Sequence, residues 1–157
     1  LRGFEVVALR YANAFGPRQD PSGEAGVMPI FTGRALRGEP LTVFGDGRQT
    51  RDYVFVGDVA RANLLAGTAR LPGGPDHDAI AFNIGTGVER SVLAVVEAIG
   101  RATGAVPTVM HAPRRAGELA QSALDAARAF AVLGWRPEVE FEEGLAALVH
   151  WMRTEAR

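Results

Sequence analysis

Apolar residues along this chain gather into short runs of two different periods, separated by Gly/Pro-rich breaks. "FEVVALRY" (4–11) is nearly continuous and β-branched, the pattern of a strand buried on both faces, as parallel strands are. "ANAFGPRQDPSGEAG" (12–26) interrupts it with glycine and proline and predicts a long loop. "VMPIFTGRALRG" (27–38) predicts a helix with Pro29 in its first turn and Gly38 as its stop. "LTVF" and "TRDYVF" predict two short strands around the turn Gly45-Asp46-Gly47.

Further along, Asp58 predicts an N-cap for a helix reaching Arg70. A Pro/Gly/Asp loop at 72–78 precedes "AIAFNIG", a second buried strand. Ser91 predicts the cap of a helix that places Val92, Val95, Val96 and Ile99 on one face, the i, i+3, i+4, i+7 spacing. "PTVMHA" predicts a strand, and Asp125 the cap of a short helix ending at Gly134. A last helix from Glu142 lays Leu145, Leu148, Val149 and Met152 along one stripe. Alternating strands and helices without internal repeats predict an α/β fold.

With 157 residues, 47% hydrophobic and 22% charged, the chain suits one ordinary domain or two small lobes sharing a core. A net charge of −1 gives no nucleic-acid footprint. No apolar run is long enough to predict a membrane span and no signal-peptide layout opens the chain, so the cytoplasm is the default expectation. The absence of cysteine excludes a disulfide framework, a thiol nucleophile and a Cys-based metal site. All 17 basic residues are arginine, so no mechanism that needs a lysine can be completed by these residues.

Two stretches approach a dinucleotide fingerprint, Gly85-Thr86-Gly87 and Gly45-Asp46-Gly47. The fingerprint needs a third glycine for close helix–strand packing, and Arg90 and Thr50 stand at that place. The second stretch reads as a tight turn joining two strands. His77, His111 and His150 have no paired ligand spacing, "DHD" (76–78) reads as a solvated loop, and Ser22 and Ser91 lack a nucleophile elbow. Tyr11 and Tyr53 read as packing or hydrogen-bonding groups. Arg51 and Arg115, at element edges near glycine or proline, either grip an anionic ligand through bidentate forks or are solvated surface charge.

"LRYANAFGPRQDPSGEAGVMPIF", "GEPLTVFGDGRQTRDYVFVGDVARAN", "FNIGTG", "PRRAGE" and "LGWRPEVEFEEGL" together resemble the NDP-sugar epimerases and dehydratases of the extended short-chain dehydrogenase/reductase superfamily. "GPRQDPSGEAGV" and "FGDGRQTRDYV" are most similar to the UDP-glucose 4-epimerase branch. The resemblance implies that residues 1–157 are the C-terminal, substrate-binding half: late elements of a doubly wound Rossmann-like sheet plus a small α/β lobe. It places the glycine-rich turn that holds most of NAD, and a catalytic Tyr-x-x-x-Lys pair, upstream of Leu1. It further implies a UDP-sugar substrate, a transient 4-keto sugar and a homodimer at full length, while charge and hydropathy predict no nucleic-acid or membrane partner.

Residue by residue, the resemblance puts Arg51 on the substrate diphosphate with Tyr53 nearby toward the nucleoside, and Leu41, Thr42 and Phe44 around uracil. Arg115 would bind phosphate, Glu118 ribose hydroxyls and Asn13 the sugar diphosphate; Val27 would form a pocket wall and Tyr11 would sit by the nicotinamide. The family often has Asp at the Glu118 position, and an asparagine of some relatives is Gly26 here. Other NDP-sugar epimerases, decarboxylases and dTDP-glucose 4,6-dehydratases share the same pattern, and a non-catalytic nucleotide-sugar-binding module is the reading of a different class.

Overall fold

β1 (Ala8–Tyr11) runs parallel to β5 (Ala81–Ile84), with Ala8 opposite Ala81 and Tyr11 opposite Ile84. These and all other coordinates come from a computed structural model that describes residues 6–20, 26–71 and 80–154. The readings of Ser22, His77 and "DHD" lie outside the described residues. A second sheet has the order β2 (Asn13–Phe15), β4 (Thr50–Phe55), β6 (Glu89–Ser91), with β2 parallel and β6 antiparallel to β4. The third pairs β3 (Leu41–Phe44) in parallel with β7 (Val109–Ala112). Among the described residues five α-helices accompany them: α1 (Val27–Leu36), α2 (Val56–Thr68), α3 (Val92–Thr103), α4 (Ala127–Leu133) and α5 (Phe141–Thr154).

The α/β expectation holds, and several local expectations change. Gly45 and Gly47 do take left-handed φ values of 69° and 76°. The turn they make is not a hairpin: β3 pairs with β7 and β4 with β2 and β6, so it passes the chain from one sheet to another. β1 is parallel, as predicted, but Ala8, Arg10 and Tyr11 are exposed rather than buried. Among the described residues β1 pairs only with β5, which leaves its other edge open.

Asp58 is not an N-cap. α2 starts at Val56 after Phe55, and Asp58 lies inside the first turn, 2% exposed. Its carboxylate accepts hydrogen bonds from the backbone N–H groups of Glu138 and Val139 and from Arg61 Nη2, while its carbonyl accepts from Trp135 Nε1. The residue ties α2 to the segment before α5, a tertiary role that a local capping rule does not anticipate. Ser91 caps α3 as predicted, accepting from Ala94 N at 3.1 Å. Asp125 accepts from Ala127 N at 2.8 Å, one residue ahead of the helix boundary at Ala126.

Two cores meet across β4. Side chains alternate along a strand, so Tyr53 packs with α1, α3 and α5 while Val54 packs with α2, β5 and α4. Phe15 joins Tyr53 and Phe141 in an aromatic cluster, with ring centroids 6.4 and 5.4 Å away. Trp135, fully buried, anchors the other core. Arg51 shares the Tyr53 face of β4, which brings it toward the lobe built by α1, β3 and α3.

Candidate functional site

The site grows out of β3. Leu41 and Val43 are fully buried, so alternation turns Thr42 and Phe44 away from the core and into a cavity of about 310 Å³. The opposing wall is α1, whose Val27, Ile30, Phe31 and Arg34 recur at helical spacing on one face. α1 is held in place at its end by a Schellman arrangement: Gly38 N donates to Ala35 O at 3.1 Å and Glu39 N to Arg34 O at 2.9 Å. Gly38 takes φ 70°, the left-handed conformation that ends the helix without Cβ strain.

The third wall comes from the segment after β7. Arg115 lays its guanidinium 3.9 Å from the centroid of the Phe44 ring, a cation–π contact that fixes the charge over the floor. Glu118 reaches the same cavity. One carboxylate oxygen, Oε1, lies 3.6 Å from Arg51 Nη2; the other, Oε2, is buried with no hydrogen-bond partner. A buried, unpartnered carboxylate oxygen is costly unless a ligand donor completes it. Arg51 Nη1 donates to Thr50 O at 2.7 Å and Leu119 O at 2.8 Å, so backbone carbonyls orient its fork. Gln49 donates to Phe44 O at 2.9 Å and closes the floor.

Of the predicted residues, the structure thus brings Val27, Thr42, Phe44, Arg115 and Glu118 to one cavity, with Arg51 paired to Glu118 behind it. Leu41 lies beneath the floor, in the core. Tyr53 is 5% exposed inside the aromatic cluster, and burial pushes its hydroxyl pKa up to about 12 against the smaller opposing effect of Arg51. Asn13 is exposed on β2, opposite Tyr53 in register. Tyr11 is exposed on β1 and donates to Asn63 Oδ1 at 2.9 Å. Sequence reasoning missed Ile30, Phe31 and Arg34, although their spacing from Val27 on one helix face was available. A larger groove of about 550 Å³, lined by Phe15, Arg18, Gln19, Phe55 and Val56 among others, contains none of the predicted residues. Its lining includes one ionisable side chain, Arg18, against Arg34, Arg115 and Glu118 in the smaller cavity.

The Gly85-Thr86-Gly87 stretch, which lacks the third glycine of a dinucleotide fingerprint, holds a side chain of β4 instead. Thr86 N and Gly87 N each donate to the Asp52 carboxylate at 3.0 Å, joined by Thr86 Oγ1 at 2.6 Å and Leu124 N at 3.3 Å. A Cβ on Gly85 would stand 2.5 Å from Asp52 Oδ2, so glycine is required for this close approach. The donors of this turn are thus occupied by an internal carboxylate. Among the described residues there is no group of three His, Asp or Glu side chains able to hold a metal ion, and no helix long and apolar enough to cross a membrane.

Parallel strand pairs with helices packed on them define an α/β protein, and Arg34, Arg115 and Glu118 line its cavity over the Phe44 ring. A sequence model of the NAD dependent epimerase/dehydratase family matches residues 1–85. The UDP-glucose 4-epimerase of Mycolicibacterium smegmatis is 47% identical over 146 residues, covering 93% of this chain and 45% of that protein. The dTDP-glucose 4,6-dehydratase of an Actinoplanes species is 35% identical over 152 residues, 96% of this chain and 45% of that one. The crystal structure of Thermotoga maritima UDP-glucose 4-epimerase with UDP-glucose superposes with a TM-score of 0.86 at 46% identity, covering 95% of this chain and 46% of that structure. The chain belongs to the NAD dependent epimerase/dehydratase family. It spans about half the length of the relatives it matches.

Proposed function

We propose that this chain is the nucleotide-sugar-binding half of a UDP-glucose 4-epimerase and that its cavity holds the UDP portion of the substrate. One observation carries the reading. Val27, Thr42, Phe44, Arg115 and Glu118, assigned to the nucleotide by resemblance, converge from three stretches of chain on one cavity. In this reading Phe44 and Thr42 support the base, Arg115 and Arg51 neutralise the diphosphate, and the free Oε2 of Glu118 accepts from the ribose hydroxyls. Binding through charged forks at fixed positions leaves the sugar tethered only by its phosphate, which a hexose needs if it is to present both faces to one reactive site. Asn13 would contact the sugar diphosphate from the open side and Tyr11 would face the nicotinamide.

NAD, the cofactor of the family, supplies hydride transfer when bound, and this chain's share is to bind and orient the substrate. The test uses the protein that carries this chain: calorimetric titration with UDP-glucose, and conversion of UDP-galactose to UDP-glucose. Saturable binding with interconversion of the two sugars supports the reading. Binding followed by loss of water from the sugar would make the protein a dehydratase, and the absence of nucleotide binding would overturn the site itself.

A further inference from the structure

Arg34 lines the cavity, yet the nucleotide-sugar reading gives it no task. It stands on the last turn of α1, and its Nη1 makes two long hydrogen bonds, to Thr42 Oγ1 at 3.4 Å and Pro40 O at 3.3 Å. Glu39, whose charge Arg34 also stabilises, is taken in a fork by Arg37 at 2.7 and 2.9 Å. Arg34 therefore reaches the Thr42 end of the floor with donor capacity left over, since a guanidinium carries five N–H donors and no acceptor.

Resting on the UDP-binding reading, we propose that Arg34 reads the base: it donates to a ring carbonyl and selects a 4-oxo pyrimidine over its 4-amino counterpart. Thr42 and Phe44 are two residues apart, about 6–7 Å along a strand. Arg115 lies over Phe44, and Glu118 pairs with Arg51, so the groups suited to phosphate and ribose gather away from Thr42. The base then falls at the Thr42 end, between the apolar side chains of Val27, Ile30 and Phe31. In such surroundings a hydrogen bond from a cation is strengthened. A carbonyl oxygen meets the guanidinium as an acceptor, whereas an exocyclic amino group at the same place opposes donor to donor.

The experiment measures UDP, CDP and inorganic pyrophosphate binding by calorimetry in the protein that carries this chain and in its R34Q and R34K variants, with thermal unfolding run alongside. R34Q is expected to weaken UDP about 10-fold or more, the loss of one charged hydrogen bond. CDP and pyrophosphate should change by less than about 3-fold, so the preference for UDP over CDP collapses. R34K, which keeps the charge and most of the packing, should retain part of that preference. An unchanged UDP-to-CDP ratio in both variants would overturn the proposal, whether the three ligands fell together, as for a phosphate contact, or stayed put. If the parent bound none of the three, the UDP-binding reading would fail first; if the parent bound UDP with no preference over CDP, only the role of Arg34 would fail.

Discussion

Replacing Asp52 by alanine removes one carboxylate from a site that is 1% exposed and takes an acceptor from four donors at once. The Thr86 hydroxyl can rotate toward another partner, but the backbone N–H groups of Thr86, Gly87 and Leu124 cannot. A hydrogen bond to a charged group contributes about 1.5–3 kcal/mol, and each stranded donor costs about 1–3 kcal/mol unless water enters the space left behind. Allowing for that water and for non-additivity, the expected loss is about 3–5 kcal/mol, a large share of a domain's whole stability. Asp52→Asn keeps one acceptor oxygen and should fall between parent and alanine. Asp46→Ala is the control: Asp46 also accepts a backbone hydrogen bond, from Arg48 N at 3.0 Å, but its side chain is 71% exposed, and the change should stay within about 0.5 kcal/mol. Urea unfolding of the three variants against parent, with slopes compared, reads the differences directly. A loss below about 1 kcal/mol for Asp52→Ala would refute the claim that this carboxylate fastens β4 to the β5–β6 turn and to Leu124.

Arg51→Ala and Arg115→Ala should each weaken UDP about 10- to 100-fold by calorimetry, with lysine restoring only part because it lacks the bidentate fork; parent-like affinity in both alanine variants would remove the two residues from the site. Below pH 10 the Tyr53 hydroxyl is protonated in both folded and unfolded chains, and between pH 10 and about 12 only the unfolded chain ionises. Stability should therefore drop through that window by about 2–3 kcal/mol more in parent than in Tyr53→Phe, and equal pH slopes in urea unfolding would contradict the burial of this ring. The open edge of β1, with Val6 61% and Leu64 73% exposed, should make the 157-residue chain on its own self-associate. Size exclusion across a concentration series tests this, and a monodisperse, cooperatively unfolding monomer would count against it.

Much of the fold was legible because its longer elements carry their own signals. Val92, Val95, Val96 and Ile99 announce α3 by spacing, and Ser91 announces its start. β2 and β6 were not legible: each has three residues, too few for a period, and each exists only because β4 supplies its hydrogen-bonding partner. Asp52 and Asp58 went unread for a related reason. Apart from Arg61, three residues beyond Asp58, their partners stand 34 to 81 residues away, so local rules offered a cap for one and nothing for the other. In the candidate site, position at an element edge had already marked Arg51 and Arg115, and resemblance supplied Glu118, which no spacing within its own short loop could have assigned. Arg34 was available from helical spacing, since Val27, Ile30 and Arg34 fall on one face once α1 is recognised. Leu41 shows the converse: its neighbours Thr42 and Phe44 face the cavity, and strand alternation sends its own side chain to the core.

A crystal structure of the protein that carries this chain, grown with UDP, tests the central claim most directly. The uracil ring is expected at the Thr42 end of the floor, the diphosphate within hydrogen-bond distance of Arg115 and Arg51, and a ribose hydroxyl on Oε2 of Glu118. A nucleotide seated in the larger groove beside Arg18 and Gln19, or touching neither Arg51 nor Arg115, would contradict the account.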